Sequence, residues 1–284
     1  MPRVNVNELL KHATEHKYGV AAVNTLNIET VKYIIMAAER ERVPVIVQFY
    51  PGFDNYTALK HLAFAACDMA ERATVPVGVH LDHSNSFEIA VRGIRDGFPS
   101  VMVDGSSLSY EENVALTASV VRTANIFGVD VEAELGHVGS GDNEDDIVNA
   151  DHYTKVDQAV DFVERTGCGS LAIAVGNAHG PYVKTPNLDF DRIKAIRSKV
   201  SVPLVLHGCS DIPEEQMKEA VNLGMSKFNI ATEYFRAMYE AMKKGIESGK
   251  FEGNGVGLMF DIEEAMIEFV AGKIRLLNPN GFSI

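Results

Sequence analysis

Three histidines in this chain each follow or end an apolar run, and acids accompany them. His80-Leu81-Asp82-His83 closes the run that begins at Val77, His179 follows the run ending at Val175, and His207 ends the run Leu204–His207. Imidazoles of His83, His179 and His207 that met at one point, with carboxylates beside them, would make an open metal site of the catalytic kind. Asp104 and Ser106 close another run. Glu132 and Glu134 stand two apart on an extended segment and so point to one side. Asn24 closes the first run, and Asn229 and Thr232 end the last. Plainer readings exist for each. A strand-end His can be a hydrogen-bonded structural residue, and an Asp after a strand can simply cap the next helix.

Glycine-rich turns form a second constellation. Gly176-Asn177-Ala178-His179-Gly180 and His207-Gly208-Cys209-Ser210 follow two of the runs, and Asn229-Ile230-Ala231-Thr232 leads into a helical pattern. Glycines let backbone N–H groups approach a phosphate, and a helix N-terminus favours its charge. These glycines could equally do no more than make tight turns.

The elements that must position these groups alternate. Strand candidates are Val20–Asn24, Val45–Phe49, Val77–Leu81, Ser100–Val103, Asp130–Leu135, Ser170–Val175, Leu204–His207 and Lys227–Ala231. Most are continuously apolar, as in a parallel sheet buried on both faces. Between and after them lie helix candidates at Glu29–Arg42, Thr57–Arg72, Ser86–Arg95, Glu111–Phe127, Lys155–Arg165, Phe190–Ser198, Glu214–Leu223 and Glu233–Glu247. About eight strand–helix units predict an α/β fold, a single (β/α)8 TIM barrel spanning residues 1–284 as one domain. A doubly wound open sheet is the structural alternative. In a barrel, the polar strand ends would gather at the C-terminal mouth, where barrel chemistry sits. The tail Asp261–Leu277, with Ile262, Ala265, Met266, Phe269, Val270 and Ile274 on one side, predicts an extra C-terminal helix that covers the barrel or joins a partner. The long polar stretch His137–Tyr153 reads as an active-site loop.

Composition excludes several functions. The chain has 284 residues, 46% hydrophobic and 23% charged, with a formal net charge of −13. Such an acidic, globular composition argues against disorder and against nucleic-acid binding. Cys67, Cys168 and Cys209 are scattered, so neither a disulfide framework nor a cysteine-rich zinc site is expected, and a reducing, cytoplasmic setting is the simplest reading. Met1–Lys11 has no signal-peptide core, and no apolar run approaches the ~18 residues of a membrane span.

In family order, the segments His80–His83, Val101–Ser106, Glu132–Gly136, Gly176–Gly180, Leu206–Ser210 and Asn229–Glu233 resemble those of the class II, metal-dependent ketose-bisphosphate aldolases, which include fructose- and tagatose-bisphosphate enzymes. The resemblance implies that His83, His179 and His207 hold a catalytic Zn2+ and that Asp82 is the acid/base for the C4 hydroxyl. Asp104 and Glu134 would accept a second or displaced metal, or a monovalent cation would bind nearby. Gly180, Gly208, Cys209, Ser210, Asn229, Ile230, Ala231 and Thr232 would form the dihydroxyacetone-phosphate site, with Asn24 and Tyr50 also at the substrate. Glu144 would be the loop acid for proton transfer. Arg275 would reach the second phosphate in a neighbouring subunit of a homodimer or homotetramer.

Schiff-base aldolases instead need a lysine inside the barrel. Lys227 is expected on the wrong face of its strand and Lys184 in a loop, which favours the metal route. Several positions depart from the family pattern: Ser84, Cys209 and Asp211 stand where Gly or Ala is usual, and Tyr50 where many fructose-bisphosphate enzymes have Ser. Two other readings stay open. One is a catalytically silent sugar-phosphate-binding barrel, and the other a different metal barrel enzyme such as a phosphosugar epimerase. Release of an aldehyde would separate the three.

Overall fold

A computed structural model describes residues 3–284. Eight parallel strands close a barrel in chain order: β1 (Val20–Thr25), β2 (Val45–Phe49), β3 (Val77–Ser84), β4 (Ser100–Val103), β5 (Asp130–Leu135), β6 (Ser170–Ile173), β7 (Leu204–Leu206) and β8 (Met225–Ile230). β8 returns to pair with β1, so the sheet has no open edge and the doubly wound alternative is excluded. Nearly every strand residue is buried, which is why the runs read as apolar rather than alternating.

The helices are α1 (Val6–His16), α2 (Ile28–Glu41), α3 (Leu59–Arg72), α4 (Phe87–Arg95), α5 (Tyr110–Phe127), α6 (Glu144–Val148), α7 (Val156–Thr166), α8 (Phe190–Lys199), α9 (Glu214–Asn222), α10 (Thr232–Glu247) and α11 (Gly255–Leu276). α1 was not expected from sequence. Its Val6, Leu9, Leu10 and Ala13 are buried. Asp130, at the start of β5, accepts hydrogen bonds from Asn5 and Asn7, so α1 closes the N-terminal end of the barrel. The extra C-terminal helix is present, starting at Gly255 rather than Asp261. It packs along α2 and α10 and buries Ile262, Met266, Val270 and Ile274, while Phe269 is half-buried and Ala265 exposed. None of the helices is long and apolar enough to cross a membrane, among the described residues.

β3 extends to Ser84, past the expected Leu81. Its pairing with β4 shifts register between Leu81 and Ser84, and His83 has a φ of 50°. Neighbouring strand residues normally face opposite sides. The bulge with a left-handed residue re-aims one of them, and Asp82 and His83 thereby line the same cavity.

Candidate active site

The C-terminal mouth holds a cavity of about 440 Å³ lined by Asn24, Tyr50, Asp82, His83, Asp104, His179, Gly180, Gly208, Ser210, Asn229, Ala231 and Thr232. Expected site residues from seven of the eight strand ends thus line one cavity. Phe53, Asn85, Val138 and Phe235 also line it and were not singled out in the sequence. The apolar three lack a chemical signature, and only closure of the barrel brings them together.

The three imidazoles converge. One ring nitrogen from each of His83, His179 and His207 lies within 4.8 Å of the others, and His83 Nε2 is 3.0 Å from His207 Nδ1. The remaining nitrogen of each ring meets an oxygen. His83 Nδ1 is 3.1 Å from Asp104 Oδ2, His207 Nε2 is 2.9 Å from Glu132 Oε1, and His179 Nδ1 is 3.2 Å from the Val138 carbonyl. A ring held at one nitrogen by an oxygen, with its other nitrogen turned to a shared point, is how a metal-binding histidine is oriented.

The electrostatics also fit a cation. Burial lowers the His83 pKa, but Asp82, Asp104 and Glu134 outweigh it and hold it up at about 10. Burial and the His83 charge push His179 down to about 4 and His207 well below its ordinary value. Burial and the Asp104 charge push Glu134 well above the carboxylate range. Both Glu134 oxygens and His179 Nε2 are buried without a hydrogen-bond partner. A site that gathers carboxylates and leaves buried ligand atoms unpaired is suited to a positive ion. His83, Asp104 and Glu134 form an overlapping donor group, although Asp104 is already bonded to His83 here.

Asp82 is buried among amides. Asn24 and Asn229 each donate to it at 3.1 Å, and Gln48 at 3.3 Å. Burial raises its pKa, but the charges of His83 and Lys227 outweigh it and keep it below the ordinary value. Asn24 and Asn229, expected to touch substrate, therefore also hold this carboxylate.

The opposite wall suits an anion. Gly208 has a φ of 61°, and a Cβ there would sit 2.0 Å from the Ala178 carbonyl oxygen, so only glycine fits. Ala231 caps α10 without a side-chain acceptor, leaving first-turn N–H groups beside the cavity. Ser210 Oγ accepts from the Glu233 N–H. Asp211 occupies a left-handed position, φ 64°, where glycine would be usual, and its carboxylate pairs with Arg236.

Four expected site residues lie elsewhere. Cys209 is buried, with its thiol on the Leu206 carbonyl at 3.1 Å, and Ile230 packs into the core. Both fall on the face of the chain turned from the cavity. Glu144 is exposed on α6, where its carboxylate meets Lys184 Nζ at 2.9 Å. Arg275 lies on α11, half-exposed and paired with Glu41 and Glu268 at 2.6 and 2.5 Å. A substrate role for Arg275 requires a second copy of the chain.

Lys227 corrects the sequence reading. It is fully buried inside the barrel, its Nζ 2.9 Å from Glu132 Oε2. Glu132 links it to His207, and His80 Nε2 lies 3.7 Å from the same acid. The lysine was expected on the wrong face because its strand was taken to start there. β8 begins at Met225, and Lys227 shares a face with Asn229. It supports the site from beneath, bound to an acid, and does not line the cavity.

Fold and mouth together define a (β/α)8 barrel with a cluster of histidines and carboxylates that could hold a metal at the C-terminal ends of its strands. The family described as "Fructose-bisphosphate aldolase class-II" matches residues 4–282. The chain is 40% identical over 278 residues to the "Probable fructose-bisphosphate aldolase" of Bacillus subtilis (strain 168), with 97% of each chain covered. It is 38% identical to the crystal structure of the YdjI aldolase from Escherichia coli K12, at a TM-score of 0.87 and 97% coverage of each chain. The fructose-bisphosphate aldolase of Campylobacter jejuni shares the fold, at 24% identity and a TM-score of 0.81 over 97% of this chain and 95% of that one. The chain belongs to the class II fructose-bisphosphate aldolase family, whose members are generally metal-dependent carbon–carbon lyases.

Proposed function

We propose that this chain reversibly cleaves the C3–C4 bond of a ketose 1,6-bisphosphate, by default fructose 1,6-bisphosphate. The products would be dihydroxyacetone phosphate and an aldehyde phosphate such as glyceraldehyde 3-phosphate. The observation that carries this is the trio His83, His179 and His207, each oriented through its second nitrogen beside the buried carboxylate of Asp82. The trio would hold zinc, a nitrogen-preferring ion that leaves a position open for substrate. Bound there, zinc would polarise the C2 carbonyl and stabilise the negative charge left on the three-carbon fragment.

The residues of the chain do the rest. Asp82, held by Asn24, Gln48 and Asn229, takes the proton from the C4 hydroxyl as the bond breaks. Gly180, Gly208, Ser210 and the N-terminal turn of α10 seat the C1 phosphate. Glu144, on the loop after β5, exchanges its bond with Lys184 for proton transfer to the three-carbon fragment. Tyr50 faces the distal half of the substrate, and Arg275 serves the second phosphate of a neighbouring copy in a homo-oligomer. The whole chain acts as one barrel domain in the cytoplasm, a setting that three unpaired cysteines suit.

The test is a screen of ketose phosphates for aldehyde release after zinc loading, with chelated enzyme as control. Cleavage that a chelator abolishes and zinc restores is expected. Binding without cleavage would favour the sugar-phosphate-binding reading. A borohydride-trapped lysine adduct with substrate would exclude the metal route.

A further inference from the structure

A second set of donors lies outside the cavity, on the loop after β5. His137 stands two residues past that strand, Asp146 lies in α6, and His152 ends the short 3-10 turn Ala150–His152. His137 Nε2 is 3.3 Å from Asp146 Oδ1, and His152 Nδ1 is 3.7 Å from the same oxygen. One donor atom from each of the three lies within 4.8 Å of the others. Tetrahedral bonds of ~2.0–2.1 Å put donor atoms ~3.3 Å apart, so two of the three edges already have nearly the right length.

The loop is built to keep this arrangement. The His137 N–H donates to the His152 carbonyl at 2.9 Å, which fixes the two histidines side by side. Asp146 Oδ2 accepts from the Ser140 N–H at 2.8 Å, so Oδ1 is left to the imidazoles. Gly139 makes the room: a Cβ there would lie 2.2 Å from the Asp146 carboxyl carbon. The independent sign of a ligand is His152 Nδ1, which is buried and has no hydrogen-bond partner. A His–Asp pair alone would leave that nitrogen unsatisfied. A cavity of about 230 Å³ touching His137 and His152 gives water access to open coordination positions.

We propose that His137, Asp146 and His152 bind a second divalent transition-metal ion, separate from the strand-end centre, and that this ion clamps the loop after β5 against the barrel. Two imidazoles and one carboxylate suit zinc, cobalt or nickel rather than magnesium or calcium. The clamp would reach the first centre through the backbone. Val138, next to His137, is the carbonyl on His179 Nδ1, and the Gly139 carbonyl accepts from the His179 N–H at 2.8 Å. The same ion would limit the excursions of Glu144, two residues before Asp146.

The test counts metal and needs no turnover, so it stands apart from the aldolase reading. Full-length wild type, a His137→Gln/His152→Gln double variant and Asp146→Asn are equilibrated with zinc and stripped of loose ions on a sizing column. Wild type is expected to retain one equivalent more than either variant. Zinc should also slow proteolysis between residues 137 and 153 several-fold in wild type only. The Asp146→Asn chain keeps its shape and checks that lost metal is not lost folding. Equal metal counts in all three proteins overturn the proposal, as does zinc protection of the loop that survives in both variants.

Discussion

Two histidine clusters in this molecule make opposite use of the same side chain. At the barrel mouth, His83, His179 and His207 follow strand ends, and each ring is locked by an oxygen behind it. On the loop, His137 is 47% exposed in its side chain, and both it and His152 rely on one shared carboxylate, Asp146. Groups on strands backed by fixed partners keep a geometry that chemistry needs, whereas groups on a loop can close around an ion and open without it. The rigidity of the first cluster suits a reaction; the looser second suits control of a loop.

The largest effect should come from breaking the first cluster. On the proposed mechanism, His179→Ala removes a metal donor and leaves the Val138 carbonyl without its partner, so metal content and cleavage should both collapse, by roughly 10³-fold or more in rate. Fold should persist, since His179 sits in a loop; far-UV dichroism and metal analysis check both points. Turnover within tenfold of wild type would mean that the reacting carbonyl is activated elsewhere. Next comes Asp82→Ala, expected to keep metal and still bind dihydroxyacetone phosphate while losing roughly 10²–10⁴ in cleavage rate. Near-normal turnover in that variant would move the acid/base role to Glu144.

A smaller effect on the metal, but a measurable one on stability, should follow from the layer beneath. Lys227→Met leaves Glu132 buried without its cation. Breaking one half of a buried pair typically costs ~3–5 kcal/mol, and disturbing the partner of a ligating His lowers metal affinity ~10–100-fold. Urea unfolding and a competitive zinc titration measure the two separately. An unchanged urea midpoint would show that water or another group satisfies Glu132 once the lysine is gone.

The barrel was legible in the sequence because its strands are buried on both faces and so read as unbroken apolar runs punctuated by chemistry. The same property hid the interior. Where every residue of a strand is apolar or buried, the pattern does not say which face a lysine takes, and Lys227 was misplaced. The cue existed in the spacing: Asn229 was assigned inwards, and a residue two positions earlier must face the same way. His80 and Gln48 were hidden likewise, since their partners Ser100 and Asp82 come from other strands. α1 was legible in principle from Leu9, Leu10 and Ala13 at helical spacing. Glu144 and Arg275 could be placed only by resemblance, because a loop conformation and a subunit contact leave no period in the chain.

The least effect, and the one that sharpens the contrast between fixed and adaptable parts of the site, concerns Tyr50. The metal-side wall is built from strand ends, but Tyr50 follows β2 into the turn Pro51–Phe53, and its residue is 41% exposed. Its ring meets Phe53 edge-on at 5.5 Å, and Phe53 meets Phe235 of α10 at 5.8 Å. Gly52 lets the ring lie back, since a Cβ there would come within 2.4 Å of it. A phenol held in this way offers one hydroxyl to the distal half of a substrate and more bulk than serine. One hydrogen bond to an uncharged donor is worth ~0.5–1.5 kcal/mol, or at most about tenfold in rate. Tyr50→Ser should therefore leave metal content and use of the C1 phosphate intact. It should change the ratio of kcat/KM for fructose and tagatose 1,6-bisphosphates by up to about tenfold. Wild type is expected to tolerate a changed C4 configuration, because Tyr50 belongs to a turn rather than a strand. A strong preference for fructose 1,6-bisphosphate that is identical in wild type and Tyr50→Ser would place the choice of aldehyde in the rigid wall instead, with Asn24 and Asn229 around Asp82 the next residues to vary.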